Sequence, residues 1–440
     1  MKKILTIILL IFLQHCSFDD KTGIWKTENT IKNKDDIRFD GFEKLFDEEK
    51  TFNIIKIPPN NLRIILEPAK SNNSWTQKNY NNSNNLKNFK YKNLNQLSYK
   101  SKNLSRYKNN NQLLFNNENA IISDDKGNII VYSVLDEIIK FKFNFYKKKY
   151  KKIKKNLSLI IENNTIYVAD NLGYIYALDY KNKKILWAKN YKIPFRSNIK
   201  IKNNLINVAD INNNLYFINK FDGEKLKLIP TEDTILQNNY YNSIALNQNY
   251  TFFLNTYGSI YSFNNKGQLI WFSNLNKSLD INPSNLFNSN PLVLYDDKIF
   301  ISTDTYFYIL NITNGSILNK IPITSLVKPI ISGSNIFLIT KKNYLVCLNY
   351  DTGKIIYSLD ISSEIAQYLQ TKPKPVQIKT LSIVNNDLYI FFKNSYVVKF
   401  RVTGKIKEIR KLPSQIKNFP IFINDSIVFL NKKNKLLFVD

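Results

Sequence analysis

The chain has 440 residues, 43% hydrophobic and 14% aromatic, and 63 Lys+Arg against 35 Asp+Glu give it a formal charge of +28. That balance excludes a wholly disordered or collagen-like chain, and the one long uncharged apolar run, residues 4–13, is far short of the roughly 20 residues a membrane-spanning helix needs. Only six basic residues are arginine (Arg38, Arg63, Arg106, Arg196, Arg401 and Arg410), whereas specific nucleic-acid readers rely on arginine for bidentate base contacts; the charge therefore reads as solvated surface, and no nucleic-acid partner is expected.

The N-terminus opens with Lys2 and Lys3, continues with the apolar run 4–13 and ends in Leu13-Gln14-His15-Cys16, the layout of an export signal. Leu13, three residues before Cys16, resembles the bacterial lipoprotein signal, which implies a signal peptide over residues 1–15, lipidation of Cys16 and, with Ser17 rather than Asp next, transfer to the outer membrane. Gln14 and His15 depart from the small residues that signal prefers. Cleavage there leaves a mature chain without histidine or methionine, because His15 and Met1 are its only examples. Ser-His-Asp and Cys-His catalysis, His-ligated zinc and His- or Met-ligated haem are then excluded. With Cys16 acylated, Cys347 has no disulfide partner, and its place in an apolar run reads as a small buried hydrophobe.

Residues 16–85 are polar, rich in Asn, Asp and Lys, and read as a tether with a short ordered stretch at 54–66. From residue 86 the chain becomes short Ile/Tyr/Phe/Val runs separated by Asn, Asp, Gly and Lys turns, a strand-and-turn pattern. A unit recurs, clearest in IYVADNLGYIYALDYKNKKILW from Ile166, with relatives starting at Ile121, Ile206, Phe252, Ile299, Ile336, Leu388 and Ile427. The eight starts are spaced by about 44 residues on average, the period of four-stranded propeller blades. A further strand precedes each unit, as in KPIISGS before Ile336, and the glycines after residue 86 all fall in inter-strand turns. The expected fold is all-β: an eight-bladed β-propeller of four-stranded antiparallel blades over residues 86–440. The last unit stops after its third strand at Asp440, so an N-terminal strand is expected to close the ring, with residues 89–99 the first candidate and 54–66 the second. One short helix is expected at 362–370.

The blade sequence Gly173-x-Ile-Tyr-Ala-Leu-Asp179 with Lys184-x-Leu-Trp187 resembles the PQQ-type propeller repeat. With the lipoprotein signal, the CSFDDKTGIW start at Cys16 and eight blades, it resembles the BamB-like lipoproteins of the outer-membrane β-barrel assembly machinery, in their alphaproteobacterial form. Only Trp187 and Trp271 fill the blade-ending Trp position, with Tyr357 or aliphatic residues elsewhere. The resemblance implies a non-enzymatic scaffold without a cofactor, lipid-anchored at the periplasmic face of the outer membrane, that docks the periplasmic domains of the barrel-assembly subunit and helps deliver unfolded outer-membrane proteins. It also implies a partner-binding loop after a blade-ending Trp, whose matching positions are Pro194, Phe195 and Arg196. Two other readings remain open at this stage. Quinoprotein dehydrogenases carry the same repeat, but they need a calcium site and typically a vicinal disulfide, and this chain has no adjacent cysteines. A periplasmic polyanion- or glycan-binding propeller would use the lysine surface. The pairs Asp124-Asp125 and Asp296-Asp297 read as turn residues rather than catalytic or calcium-binding carboxylates.

Overall fold

The computed structural model describes residues 52–233, 240–275 and 287–440, plus two short strands, Cys16–Phe18 (β1) and Trp25–Thr27 (β2), that pair antiparallel within a separate unit, residues 1–50. The expected signal peptide, 1–15, lies outside the described residues.

Residues 52–440 form eight blades. Blades 1 to 7 follow in chain order over residues 109–144, 157–190, 200–229, 243–274, 293–321, 330–360 and 378–411, each a four-stranded antiparallel meander. Each repeat start found in the sequence falls on or beside the second strand of a blade. Blade 8 takes three strands from residues 421–439 and its outermost one from Leu97–Asn103 (β4), which pairs antiparallel with Lys435–Val439. That strand begins eight residues after the expected one, because Phe89 is already engaged elsewhere: Asn88–Phe89 (β3) pairs in parallel with the innermost strand of blade 7, Ile378–Val384.

Burial follows position in the blade. Second strands such as Asn335–Ile339 are buried along their whole length, because blades pack face to face on both sides, so they read as continuous apolar runs rather than alternating ones. Outermost strands are different: in Lys184–Asn190 only Trp187 is buried. The register slips one residue before that position in blade after blade, at Leu186, Leu226, Ile270 and Leu318, a bulge that twists an exposed edge away from further pairing.

Neighbouring blades are latched by the repeat's aromatic residue. The Trp187 indole N–H donates to the Lys220 carbonyl of the next blade at 2.8 Å, and its ring lies over Gly223. Trp271 repeats this with the Ile312 carbonyl (3.0 Å) and Gly315, and Tyr357 substitutes through its hydroxyl to the Val402 carbonyl at 2.8 Å. A Cβ at Gly223 or Gly315 would overlap the indole, and both have positive φ, +72° and +71°. Glycine is required there twice over.

The tether reading is corrected from residue 52 onward. Residues 70–92 cross the central channel and bond to the innermost strand of every blade. Trp75 and Phe115 exchange both backbone hydrogen bonds (2.7 and 2.8 Å), and Ile161 N–H donates to the Thr76 carbonyl. Asn82 donates to the Ile201 carbonyl, Asn84 to those of Ile244 and Leu292, Asn85 to that of Ile331 and Asn72 to that of Phe422. Innermost strands present an unpaired edge to the channel, and the asparagine amide, with a donor and an acceptor, satisfies it where no regular strand could reach all eight blades. This is why the segment is asparagine-rich and aperiodic. Trp75, Phe89 and Phe422 fill its apolar underside, with Phe89 stacked on Phe422 at 5.1 Å. The expected helix is present as Ile361–Leu369 (α1), capped by the Asp360 carboxylate accepting from Ser362 N–H at 2.9 Å.

Candidate interaction surfaces

The most regular polar feature is a carboxylate or amide at the turn between the second and third strands. Asp124 accepts from Lys126 and Asn128 N–H, Asp170 from Leu172 and Tyr174 N–H (both 2.8 Å), and Asp210 from Asn212 and Asn214 N–H. Asn255 and Asn431 hold the same place in blades 4 and 8. A second oxygen is also engaged: Ser105, Tyr146 and Tyr216 hydroxyls donate to Asp124, Asp170 and Asp210 respectively. These groups are spent on turn geometry. Asp296 sits in a turn at φ +50° and accepts from the Tyr350 hydroxyl, while Asp297 pairs with Lys298 at 2.7 Å. Among the described residues no three His, Cys, Asp or Glu gather as a metal site. Cys347 is buried in a blade 6 strand, and burial raises its thiol pKa well above the ordinary value.

The loop after Trp187 runs between blades 2 and 3. Phe195 is buried between Tyr191 and Tyr216, at ring distances of 5.7 and 5.6 Å. Arg196 is only 8% exposed and donates to the Ile211 carbonyl at 3.1 Å and towards the Thr256 hydroxyl. Burial lowers its pKa, opposed by Tyr241, Asp210 and Asp233. Of the three residues singled out in the sequence, only Pro194 is partly accessible, alongside Tyr191, Lys192 and Ile193.

Sequence reasoning missed the central channel. A cavity of about 280 Å³ is lined by Lys328 just before blade 6, Lys379 of blade 7, Asn111 and Gln112 of blade 1, and Lys78 and Asn79 of the crossing segment. A second, of about 260 Å³, is lined from the opposite side of the ring by Asn198, Asn242 and Pro291, and by the same Lys78 and Asn79. Those two residues therefore stand near the axis. None of the side chains lining either cavity is acidic. Lysine is too common in this chain for these three to have stood out in the sequence, and the crossing segment that brings Lys78 to the axis carries no periodic signal.

An eight-bladed ring with Trp187, Trp271 and Tyr357 latching neighbouring blades and an Asp or Asn turn in blades 1 to 4 and 8 fits a PQQ-type β-propeller. The family described as outer membrane protein assembly factor BamB matches residues 151–359, blades 2 to 6 and a little under half of the chain, in keeping with a PQQ-type β-propeller. No curated protein matches the sequence. Among solved structures, BamB from Moraxella catarrhalis is similar at 12% identity, with a TM-score of 0.61 over 78% of this chain and 99% of that one. Quinohemoprotein alcohol dehydrogenase from Comamonas testosteroni is similar at 10% identity and TM-score 0.61 (84% and 81% covered), and a europium-containing methanol dehydrogenase at 11% and 0.57 (83% and 89%). At such identities the likeness speaks for the fold alone.

The dehydrogenase likeness raises the question of a quinone cofactor held by a metal ion. The axial cavities offer ammonium groups and amides where a metal ion needs carboxylates, and the buried Cys347 has no neighbouring cysteine. These residues do not fit that group.

Proposed function

We propose that the protein is a non-enzymatic scaffold of outer-membrane protein assembly, anchored through lipidated Cys16 at the periplasmic face of the outer membrane, where it docks the periplasmic domains of the barrel-assembly subunit and assists delivery of unfolded barrel proteins. The supporting observation is the match of blades 2 to 6 to the assembly-factor family. In this reading residues 191–196 are the docking loop. Lys192, Ile193 and Pro194 meet the partner, and Phe195 and Arg196 hold the loop from beneath. The test is titration of the mature chain against the soluble periplasmic domains of the barrel-assembly subunit from the same organism. Saturable binding, weakened by Ile193→Asp without loss of folding, is expected. Absence of binding by the parent chain would contradict the scaffold role, and unaltered binding by the variant would contradict the loop.

A further inference from the structure

Three lysines, Lys78, Lys328 and Lys379, line one cavity near the ring axis. Burying ammonium groups in a recess without a carboxylate is costly, because each loses hydration. Part of that cost has a structural use. Lys328 donates to the Asn84 carbonyl, and Lys200, 1% exposed, donates to Gln77 Oε1 at 2.8 Å and the Asn81 carbonyl at 2.5 Å, so both pin the crossing segment. That accounts for two cations and not for the others. Lys379 makes one bond, to the Lys417 carbonyl at 2.7 Å. Lys78 lies over the Tyr241 ring, 4.8 Å from its centre, on the side of the second cavity. An ammonium has three N–H donors, and at Lys328 and Lys379 one of the three is used in the bonds just named. Desolvation depresses the pKa of all three, Lys328 to about 7. A negative ligand would reverse that depression.

We propose that this axial cavity is a binding site for a small multivalent oxyanion of the phosphate type, with Lys78, Lys328 and Lys379 as its cationic donors and Asn79, Asn111 and Gln112 around them. The lining decides the sign of the ligand, since three lysines and no acidic side chain face the cavity, and about 280 Å³ suits a small anion. The site is composite. The repeats supply Lys328 and Lys379, while Lys78 and Asn79 belong to the segment that crosses the channel. It is independent of the scaffold role, and either can fail while the other stands.

The test is calorimetric titration of the full-length chain with inorganic pyrophosphate at pH 6.5 and low salt. One site per chain is expected, with Lys78→Gln and Lys379→Gln each weakening it about tenfold, the loss of one charge-assisted contact. Lys184→Gln and Lys225→Gln, on exposed outer strands, carry the same charge change and should bind as the parent does. In parallel, pyrophosphate should shield Lys78, and not Lys184, from an amine-acylating reagent read by mass spectrometry. No binding by the parent, equal weakening by the outer-strand variants, or cavity variants that bind and acylate unchanged would each overturn the site.

Discussion

The side-chain amide of Asn84 donates to the carbonyl of Leu292 at 2.9 Å, across 208 residues of sequence, and the same nitrogen reaches the Ile244 carbonyl at 3.0 Å. One fully buried asparagine thus bridges the inner edges of blades 4 and 5. Asn84 has φ +61°, which glycine adopts without strain. Asn84→Gly is therefore expected to remove the amide while keeping the backbone path, stranding the Leu292 carbonyl at a cost of about 1–3 kcal/mol, whereas the Ile244 carbonyl keeps the Asn198 amide at 2.8 Å. Urea unfolding with an unchanged slope would read this directly, and a loss below about 0.5 kcal/mol would mean that the crossing segment contributes little to the ring.

The Trp–Gly latch predicts a different failure. Gly223→Ala places a methyl group in the Trp187 ring and a side chain at positive φ, and should cost about 2–4 kcal/mol. Trp187→Phe loses the bond to the Lys220 carbonyl and part of the buried area, for about 1–2 kcal/mol. If the Trp187 ring is what excludes a Cβ, the double variant of Gly223→Ala and Trp187→Ala should lose less stability than the sum of the two single losses, as a double-mutant cycle would show.

Stability should depend on pH through Lys328, whose pKa is lowered to about 7 by burial. Between that value and the unfolded value of about 10.4 the unfolded chain binds more protons, so stability rises with pH; the contribution is present above about 10.4 and is lost as pH falls towards 7. Compared with Lys328→Met, the parent is expected to gain about 1–2 kcal/mol between pH 7 and 9.5, a range reduced for water in the channel. Parallel pH profiles for the two proteins would remove Lys328 as the cause.

The blades were legible in the sequence because their determinants are local. Asp170 bonds residues two and four ahead of it, Gly173 ends that turn, and Trp187 closes the unit, so one repeat displays its own structure. The crossing segment was not legible. Asn82, Asn84 and Asn85 act on carbonyls more than a hundred residues away, and nothing in their neighbourhood differs from a solvated asparagine-rich linker. The strand expected at 89–99 was displaced for the same reason, since Phe89 belongs to that segment. Arg196 stood out by its rarity among lysines, yet its guanidinium serves the Ile211 carbonyl inside the chain.

Anchoring is read most simply from Cys16. Cys16→Ser should move the protein from the detergent-rich to the aqueous phase of a phase-partition experiment and leave its folding unchanged. Equal partitioning of parent and variant would contradict lipidation.

The central claim is membership in the outer-membrane assembly machinery. Its most direct test is affinity purification of the tagged, intact protein from envelopes of its own organism under mild detergent, with the copurifying subunits identified by mass spectrometry. The account predicts stoichiometric recovery of the barrel-assembly subunit, reduced by Ile193→Asp. Recovery of the folded propeller without that subunit would contradict it.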